Sequence, residues 1–320
     1  MSDNQQQHSP PLHFSHGFAA HWQTVYPFIL RASRALYRPV SGDLLTVLST
    51  DERPIAFRAW VHKKSPTPQK DLFILSHGLE GSAESGYIQE TAQDLHKQGY
   101  DVWAWYMRGC SSLDTGPLLY HSGFTLDLHA LVEEAKKLAY RRIYLVGFSV
   151  GGNITLKLLG EGIRGVDAAV CFSVPLKLED VAVHLSESFN GFYMKRFLLS
   201  LKAKIRNVKN TYPEAEFNMA MLDECKDFES FDEYFTAPMH GYSSAHEYYT
   251  KASSYYGLQN INTPCLIVNA CNDPFLTRDC FPDPILFPNI QFQYPSQGGH
   301  CGFKAGGKSM VARTLEFIAQ

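Results

Sequence analysis

The stretch RRIYLVGFSVGGN, residues 141–153, decides the fold. A run of strand-forming residues ends at Ser149, glycines surround that serine, and a helical pattern follows. Residues 147–151 match the G-x-S-x-G motif, which has a mechanical meaning when it joins a strand to a helix. Glycines two positions either side of the serine allow close backbone approach without a Cβ clash. The stretch therefore predicts a nucleophile elbow, with an idle serine in a tight turn as the alternative.

Strand and helix patterns alternate on both sides of this motif, which predicts an α/β fold. The first two strands read as an antiparallel hairpin, and the later ones are apolar along their length, as in a parallel sheet covered on both faces. The predicted strands are 44–50, 54–62, 71–78, 100–107, 142–149, 166–174, 264–271 and 289–295. The predicted helices of the core are 90–99, 126–139, 151–162 and 309–320. The start of the chain, to about Arg38, reads as irregular.

One segment breaks the alternation. Residues 177–240 contain no convincing strand, and we interpret them as a helical cap inserted into a core of residues 1–176 and 241–320. Within the segment, residues 189–210 form a basic amphipathic pattern, and an acidic stretch follows from Glu214 to Glu233. A lid over an acyl chain, a membrane-contacting surface and a half-solvated helix all fit this pattern. The lid is favoured, because open α/β sheets bind ligands at the carboxyl ends of their strands.

A serine nucleophile needs a base and an acid that orients the base, and in this architecture they follow the serine in the order acid, histidine. His300 is the predicted base, because it alone lies in a glycine-rich loop after the last strand. The other downstream histidines, His184, His240 and His246, lie in the insertion or the helix leaving it. Asp273 directly follows a strand and is the predicted acid, whereas Asp279 and Asp283 lie further into the loop and are weaker candidates.

Acyl transfer also needs hydrogen-bond donors for the oxyanion. The backbone N–H of Val150, next to the nucleophile, is one expected donor, and the N–H of Leu79 is the other. Leu79 lies in SHGLEGS, residues 76–82, directly after an apolar strand. His77 in the same loop is expected to brace the loop rather than to act as a second base. Arg108 could hold an anion, but an arginine beside a glycine after a strand more often ties loops together.

Composition excludes several classes of protein. The chain has 320 residues, 45% of them hydrophobic, and a net charge of −3, which gives no reason to expect a nucleic-acid partner. Its seven cysteines show no C-x-x-C pair and read as buried free thiols, so no metal site is expected. No nucleotide-binding glycine motif follows a strand, and no cofactor is expected. Without a signal peptide or a long apolar run, the chain is expected to be cytoplasmic, with no stable membrane insertion.

Several motifs together resemble the YheT-like branch of the α/β-hydrolase superfamily. They are SHGLEGS (76–82), YMRGCSS (106–112), YHSGFTLDL (120–128), GFSVGGN (147–153), YYTKASS (248–254), NDPF (272–275) and GGHCGF (298–303). That branch contains bacterial esterase-like proteins, abhydrolase-domain phospholipases and yeast medium-chain ethanol acyltransferases. The resemblance runs from about HWQTVYP (21–27) to the carboxyl terminus. It implies a Ser149, Asp273 and His300 triad, an oxyanion hole lined by Leu79 and Val150, and a cap before the strand that carries the acid.

The sequence thus predicts a serine hydrolase that cleaves carboxylic esters, with short- to medium-chain acyl esters or lipid esters as substrates. An acyltransferase would use the same triad with an alcohol in place of water, so the sequence leaves that alternative open. A non-enzymatic scaffold on a hydrolase fold is a further alternative. It ranks lower, because such proteins usually lose a member of the triad and this chain keeps all three.

Overall fold

The computed structural model describes residues 20–24, 41–62, 70–187, 191–303 and 308–320. Apart from a helical stretch at 20–24, the predicted irregular start of the chain lies outside the described residues. Most of the predicted alternation lies within them, and each predicted core strand has a counterpart there.

A mixed sheet of eight strands, counted over the described residues, forms the centre of the fold in the spatial order β1-β2-β4-β3-β5-β6-β7-β8. The predicted hairpin is confirmed, since β1 and β2 pair antiparallel, and β2 pairs antiparallel with β4. All later pairings, from β4 through β3 to β8, are parallel. The strands are β1 (Asp43–Leu48), β2 (Pro54–Trp60), β3 (Asp71–Ser76), β4 (Asp101–Trp105), β5 (Arg142–Phe148), β6 (Ala168–Phe172), β7 (Cys265–Val268) and β8 (Ile290–Gln293).

Helices cover both faces of the sheet and continue over one of its edges. They are α1 (Gly86–Lys97), α2 (Leu126–Lys137), α3 (Val150–Gly160), α4 (Leu178–Ser186), α5 (Gly191–Thr211), α6 (Phe228–Phe231), α7 (Ala237–Met239), α8 (Ala245–Ala252) and α9 (Met310–Ile318). Helix α1 begins at Gly86, four residues before its predicted start. The reason is packing, because Ile88 joins Ala92 and Leu95 on the buried face of α1.

The apolar strands separate two cores, as expected for a sheet that is covered on both faces. Alternate residues of β3 point to opposite sides: Ile74 packs in the core that contains α2 and α3. Phe73 and Leu75 pack in the core that contains α1 and α9. Burial of both faces explains why these strands are continuously apolar instead of alternating between apolar and polar residues.

A third apolar cluster lies in the segment between β6 and β7, and among the described residues of that segment there is no strand. Helices α4 to α8 contribute to it, together with Phe275 and Leu276 from the loop after β7. The predicted amphipathic pattern is α5, whose buried residues Met194, Leu198 and Ile205 face this cluster. We propose residues 177–240 as a separate cap, and the apolar cluster itself extends into α8.

Candidate active site

Ser149 stands on a strained turn between β5 and α3. Its φ of 54° and ψ of −121° lie in a region that L-residues rarely adopt. The glycines around it are required by space, because a Cβ on Gly147 would lie 2.5 Å from the Gly152 Cα. A Cβ on Gly151 would meet the Ser76 carbonyl oxygen. The turn therefore has the geometry that the G-x-S-x-G pattern predicts for an elbow.

This strain leads to a stability prediction. The Ser149→Gly variant is expected to be more stable than the Ser149→Ala variant, with a free energy of unfolding that is higher by about 1 kcal/mol. Glycine relieves the positive-φ strain, which outweighs the greater entropy of glycine in the unfolded chain. Urea unfolding of the two variants side by side measures the difference. Equal stabilities, or a more stable alanine variant, would show that the turn stores no strain.

The three predicted triad residues lie within hydrogen-bonding distance of one another. The Ser149 Oγ lies 3.0 Å from the His300 Nε2. The other ring nitrogen of His300, Nδ1, lies 2.9 Å from the Asp273 Oδ2 and 3.1 Å from Oδ1. Because a carboxylate only accepts, Nδ1 carries the proton and Nε2 is left to accept the serine hydroxyl proton. This arrangement has the geometry of a nucleophile, a base and an orienting acid.

Asp273 and His300 are held away from bulk water. Asp273 is fully buried, and its Oδ1 also accepts the Phe275 N–H at 2.9 Å. The Phe275 ring packs against the His300 imidazole, with 4.3 Å between the ring centroids. The His300 side chain is 13% exposed, which leaves it open toward the adjoining cavity. A buried, hydrogen-bonded carboxylate is suited to fixing the tautomer of its histidine.

The weaker candidates have other partners. Asp279 pairs with Lys177 at 2.8 Å, and Asp283 accepts the Ile285 N–H at the start of a short turn. His246 contacts Glu179 at the surface, and the His184 Nε2 donates to the Pro274 carbonyl at 3.1 Å. The structure thus brings Asp273 and His300 to Ser149 and places these alternatives elsewhere.

Residues 20–24 hold the histidine loop, a role that the sequence did not reveal. The His300 N–H donates to the Thr24 Oγ1 at 3.0 Å, and the Gly298 N–H donates to the Gln23 Oε1 at 3.2 Å. Asn272, next to the acid, accepts the Gly299 N–H at 2.9 Å and donates to Gln23 at 2.8 Å. These bonds fix the backbone on both sides of His300. The only signal in the sequence was that HWQTVYP marks the start of the family resemblance.

The two expected oxyanion donors lie beside Ser149 at the cavity wall. Val150 is the first residue of α3, so its N–H has no acceptor within the helix. The Leu79 N–H belongs to the same peptide plane as the Gly78 carbonyl, which accepts from the Gly81 N–H at 3.0 Å and from the His77 Nδ1 at 2.8 Å. Among hydrogen bonds between described residues, neither the Leu79 nor the Val150 amide donates. Both amides are therefore free to donate to a bound oxygen.

His77 braces this loop, as the sequence interpretation favoured. Its Nε2 accepts the Met107 N–H at 3.1 Å while its Nδ1 donates to Gly78. Burial lowers the pKa of the His77 imidazole to about 4, so the ring is neutral near pH 7. Neutrality agrees with one nitrogen accepting and the other donating. With both nitrogens engaged, His77 has no position left for a second catalytic base.

Arg108 ties loops together and does not face a ligand. Its buried guanidinium contacts Asp127 at 2.6 Å, Asp51 at 2.7 Å and the Ser49 Oγ at 3.0 Å. The Phe124 ring covers it at 4.6 Å. The structural interpretation of Arg108 from the sequence therefore agrees with its contacts.

A cavity of about 470 Å³ opens above Ser149 and His300. Most of its wall is apolar and comes from the segment between β6 and β7, including Leu178, Leu185 and Phe197. Helix α5 is joined to the loop after β3 by an ion pair between the Lys204 Nζ and the Glu80 Oε1 at 2.6 Å. The site can therefore place an apolar group beside a nucleophile.

A cluster of side chains that could ligate a metal lies away from Ser149. Over the described residues, three metal-ligating side chains approach one another only at His62, His96 and Asp101, within 4.8 Å. Asp101 is the first residue of β4, whereas Ser149 follows the last residue of β5, so the two lie at opposite ends of these parallel strands. All seven cysteines are free thiols.

In the described part of the chain, no helix is both long and apolar enough to cross a membrane.

Comparison with known proteins places the chain among hydrolases. Residues 71–306 match the family model described as alpha/beta hydrolase fold. The chain is 33% identical over 254 residues to the Escherichia coli K12 protein named "Putative esterase YheT", a match that covers 78% of this chain and 75% of that protein. It is 31% identical over 246 residues to a Saccharomyces cerevisiae protein named "Monoacylglycerol lipase", covering 73% of this chain and 55% of the yeast protein.

Solved structures agree on the fold. The esterase Pf2001 of Pyrococcus furiosus superposes with a TM-score of 0.58 at 15% identity, covering 88% of this chain and 90% of that one. The chain therefore spans most of this structural neighbour and of the bacterial relative, but little more than half of the yeast relative.

Proposed function

Because the chain belongs to the α/β-hydrolase fold family and is a carboxylic ester hydrolase, we propose that Ser149, His300 and Asp273 are its catalytic triad. One observation carries the proposal: the Ser149 hydroxyl, the His300 imidazole and the buried Asp273 carboxylate form a continuous hydrogen-bonded chain at the base of an apolar cavity. The elbow strain and the two unengaged amides support it independently.

The first half of the reaction forms an acyl-enzyme. The Ser149 Oγ attacks the ester carbonyl carbon while the His300 Nε2 accepts the hydroxyl proton. The carbonyl oxygen becomes an oxyanion, which the Leu79 and Val150 N–H groups stabilise. The tetrahedral intermediate then breaks its bond to the alcohol oxygen, and His300 returns the proton to that oxygen. Throughout, the Asp273 carboxylate stabilises the His300 imidazolium, and the proton on the His300 Nδ1 stays on that nitrogen.

The second half repeats these steps with water. His300 removes a proton from water as the water oxygen attacks the acyl carbon, and the same amides hold the new oxyanion. Collapse of this intermediate releases the Ser149 oxygen, which takes the proton back from His300. The products are a carboxylic acid and an alcohol, and no cofactor is needed to balance the reaction.

The substrates that we propose are short- to medium-chain acyl esters or lipid esters. The wall of the cavity supports this class, because apolar side chains of the cap face the space above Ser149. The names of two relatives, a yeast monoacylglycerol lipase and a mouse phospholipase, support a lipid ester. We further propose that the cap positions the acyl chain by apolar burial alone.

Chain length tests this substrate class. For p-nitrophenyl esters, kcat/KM is expected to rise about fourfold per added methylene until the cavity is filled, since each buried CH₂ contributes about 0.8 kcal/mol. Ala182→Phe, which narrows the cavity from α4, is expected to move the optimum to shorter chains. Val183→Phe, on the exposed side of the same helix, is the matched control and is expected to leave the optimum in place. An acetate optimum in the wild type would contradict the proposed class.

The same assay separates hydrolysis from acyl transfer. Added ethanol offers the acyl-enzyme a second acceptor for its acyl group besides water. An acyltransferase would then form ethyl esters in place of the free acid. A hydrolase releases mainly the free acid under the same conditions. Gas chromatography of the products distinguishes the two outcomes, and we expect the free acid.

A further inference from the structure

The wall of the cavity contains a carboxyl group that the proposed mechanism does not use. Asp232 begins the π-helical turn Asp232–Thr236, between α6 and α7. It lines the same cavity as Ser149 and keeps part of its surface accessible. Single π-helical turns are rare and occur frequently at functional sites. This position in the substrate cavity calls for an explanation.

The partners of Asp232 are neutral. Its Oδ1 accepts from the Thr236 hydroxyl at 2.5 Å, and its Oδ2 accepts from the Tyr249 hydroxyl at 2.8 Å. Within the described residues, no lysine or arginine forms an ion pair with it. Glu80, the other acid of the cavity wall, differs in having the Lys204 ammonium 2.6 Å away. Asp232 is thus the acid of the cavity that lacks a counter-charge.

The protein surroundings impose a cost on the ionised form of this carboxyl. The surrounding protein raises the pKa of Asp232 to about 7, although two hydroxyl donors act in the opposite direction. A buried carboxylate is normally paired with a cation or coordinates a metal. A strongly perturbed acid in a cleft is also a candidate for a functional group. A cationic group of a ligand in the cavity would relieve the cost.

Aromatic rings accompany the carboxyl. Phe228, Phe231 and Phe235 lie on the same helical segment as Asp232 and line the same cavity. Phe231 and Phe235 have ring centroids 5.4 Å apart. The faces of aromatic rings attract cations, and aromatic surroundings are a common way to recognise quaternary ammonium groups. A carboxylate together with such rings can therefore bind a quaternary ammonium group, which water solvates only weakly.

We propose that Asp232 and these three rings form a subsite for an ammonium group on the substrate, so that the enzyme prefers esters of amino alcohols over neutral esters of the same shape. The proposal rests on the proposed ester hydrolysis. It adds a site for the charged alcohol group of the substrate, which the apolar wall does not recognise. Asp232 acts here in specificity and takes no part in the proton transfers at Ser149.

Two esters of the same acid test the subsite. Butyrylcholine and 3,3-dimethylbutyl butyrate have nearly the same shape, and only the first carries a charge. The readout is the ratio of their kcat/KM values, which is expected to fall on the order of tenfold in Asp232→Asn relative to the wild type. Because both esters are measured on the same variant, a general loss of activity cancels in the ratio.

Asp223→Asn is the matched control. Asp223 lies in the same segment of the chain but is 80% exposed and pairs with Arg206 at the surface. This variant is expected to keep the wild-type ratio. An unchanged ratio in Asp232→Asn, or an equal fall in both variants, would overturn the subsite and leave Asp232 as a structural anchor for Tyr249.

A binding measurement separates failure of the subsite from failure of the proposed function. Calorimetric titration of the wild-type protein with choline and with 3,3-dimethylbutanol requires no turnover. Binding of choline that is on the order of tenfold tighter than that of the neutral alcohol is expected. Equal or weaker choline binding would overturn the subsite, whether or not esters are hydrolysed. Absence of hydrolysis of both esters, with choline still preferred, would instead refute the proposed function alone.

Discussion

Replacing Ser149 with alanine is expected to lower kcat for ester hydrolysis by about 10⁶-fold, to the level that binding and the oxyanion donors alone can support. The effect is large because, in the part of the chain that the structure describes, Ser149 is the residue whose hydroxyl lies within hydrogen-bonding distance of the His300 Nε2. The fold is expected to persist, since alanine and serine both carry a Cβ and meet the same positive φ at this turn. Steady-state kinetics with a p-nitrophenyl ester measures the loss, and circular dichroism checks the fold.

Ser112→Ala is the control for this prediction, because Ser112 is exposed on a loop away from the triad. It is expected to keep wild-type kcat. A folded Ser149→Ala protein that retains more than about a thousandth of the wild-type kcat would exclude Ser149 as the nucleophile.

Asp273→Asn is expected to lower kcat by about 10⁴-fold while the protein remains folded. An asparagine amide that donates to the His300 Nδ1 would favour the tautomer with its proton on Nε2. The His300 Nε2 would then already carry a proton and could not accept the proton of the Ser149 hydroxyl. Steady-state kinetics at saturating ester separates this loss in kcat from any change in KM.

Asp279→Asn serves as the comparison, because Asp279 was the nearest alternative acid in the sequence and pairs with Lys177 in the structure. It is expected to retain kcat within a few-fold of the wild type. A reversed result, with the large loss at Asp279 and not at Asp273, would move the role of the acid to Asp279.

The sequence predicted the fold well where local signals were strong. The continuously apolar strands, the glycine stops and the serine between two glycines each have a meaning within a short window. The carboxyl ends of β5, β7 and β8 meet at one edge of the parallel sheet. Ser149, Asp273 and His300 could therefore be expected to come together before any distance was known.

The sequence could not predict contacts that join distant segments. Thr24 reaches the His300 amide across 276 residues, and no local pattern indicates that pairing. The boundary of α1 was misplaced for a similar reason, because Ile88 is recruited into a core that the helical pattern alone does not define. The acidic stretch of the sequence also gives no sign that Asp232 lines the cavity, because that position depends on contacts with residues far along the chain.

The central claim, that Ser149 is an activated nucleophile, is tested most directly by intact-mass labelling with a fluorophosphonate. Such a probe reacts with a serine whose proton is removed by a neighbouring base and whose oxyanion is stabilised. We predict a single adduct on the wild-type protein and none on Ser149→Ala. A folded wild-type protein without an adduct, or an adduct of equal yield on Ser149→Ala, would contradict the claim.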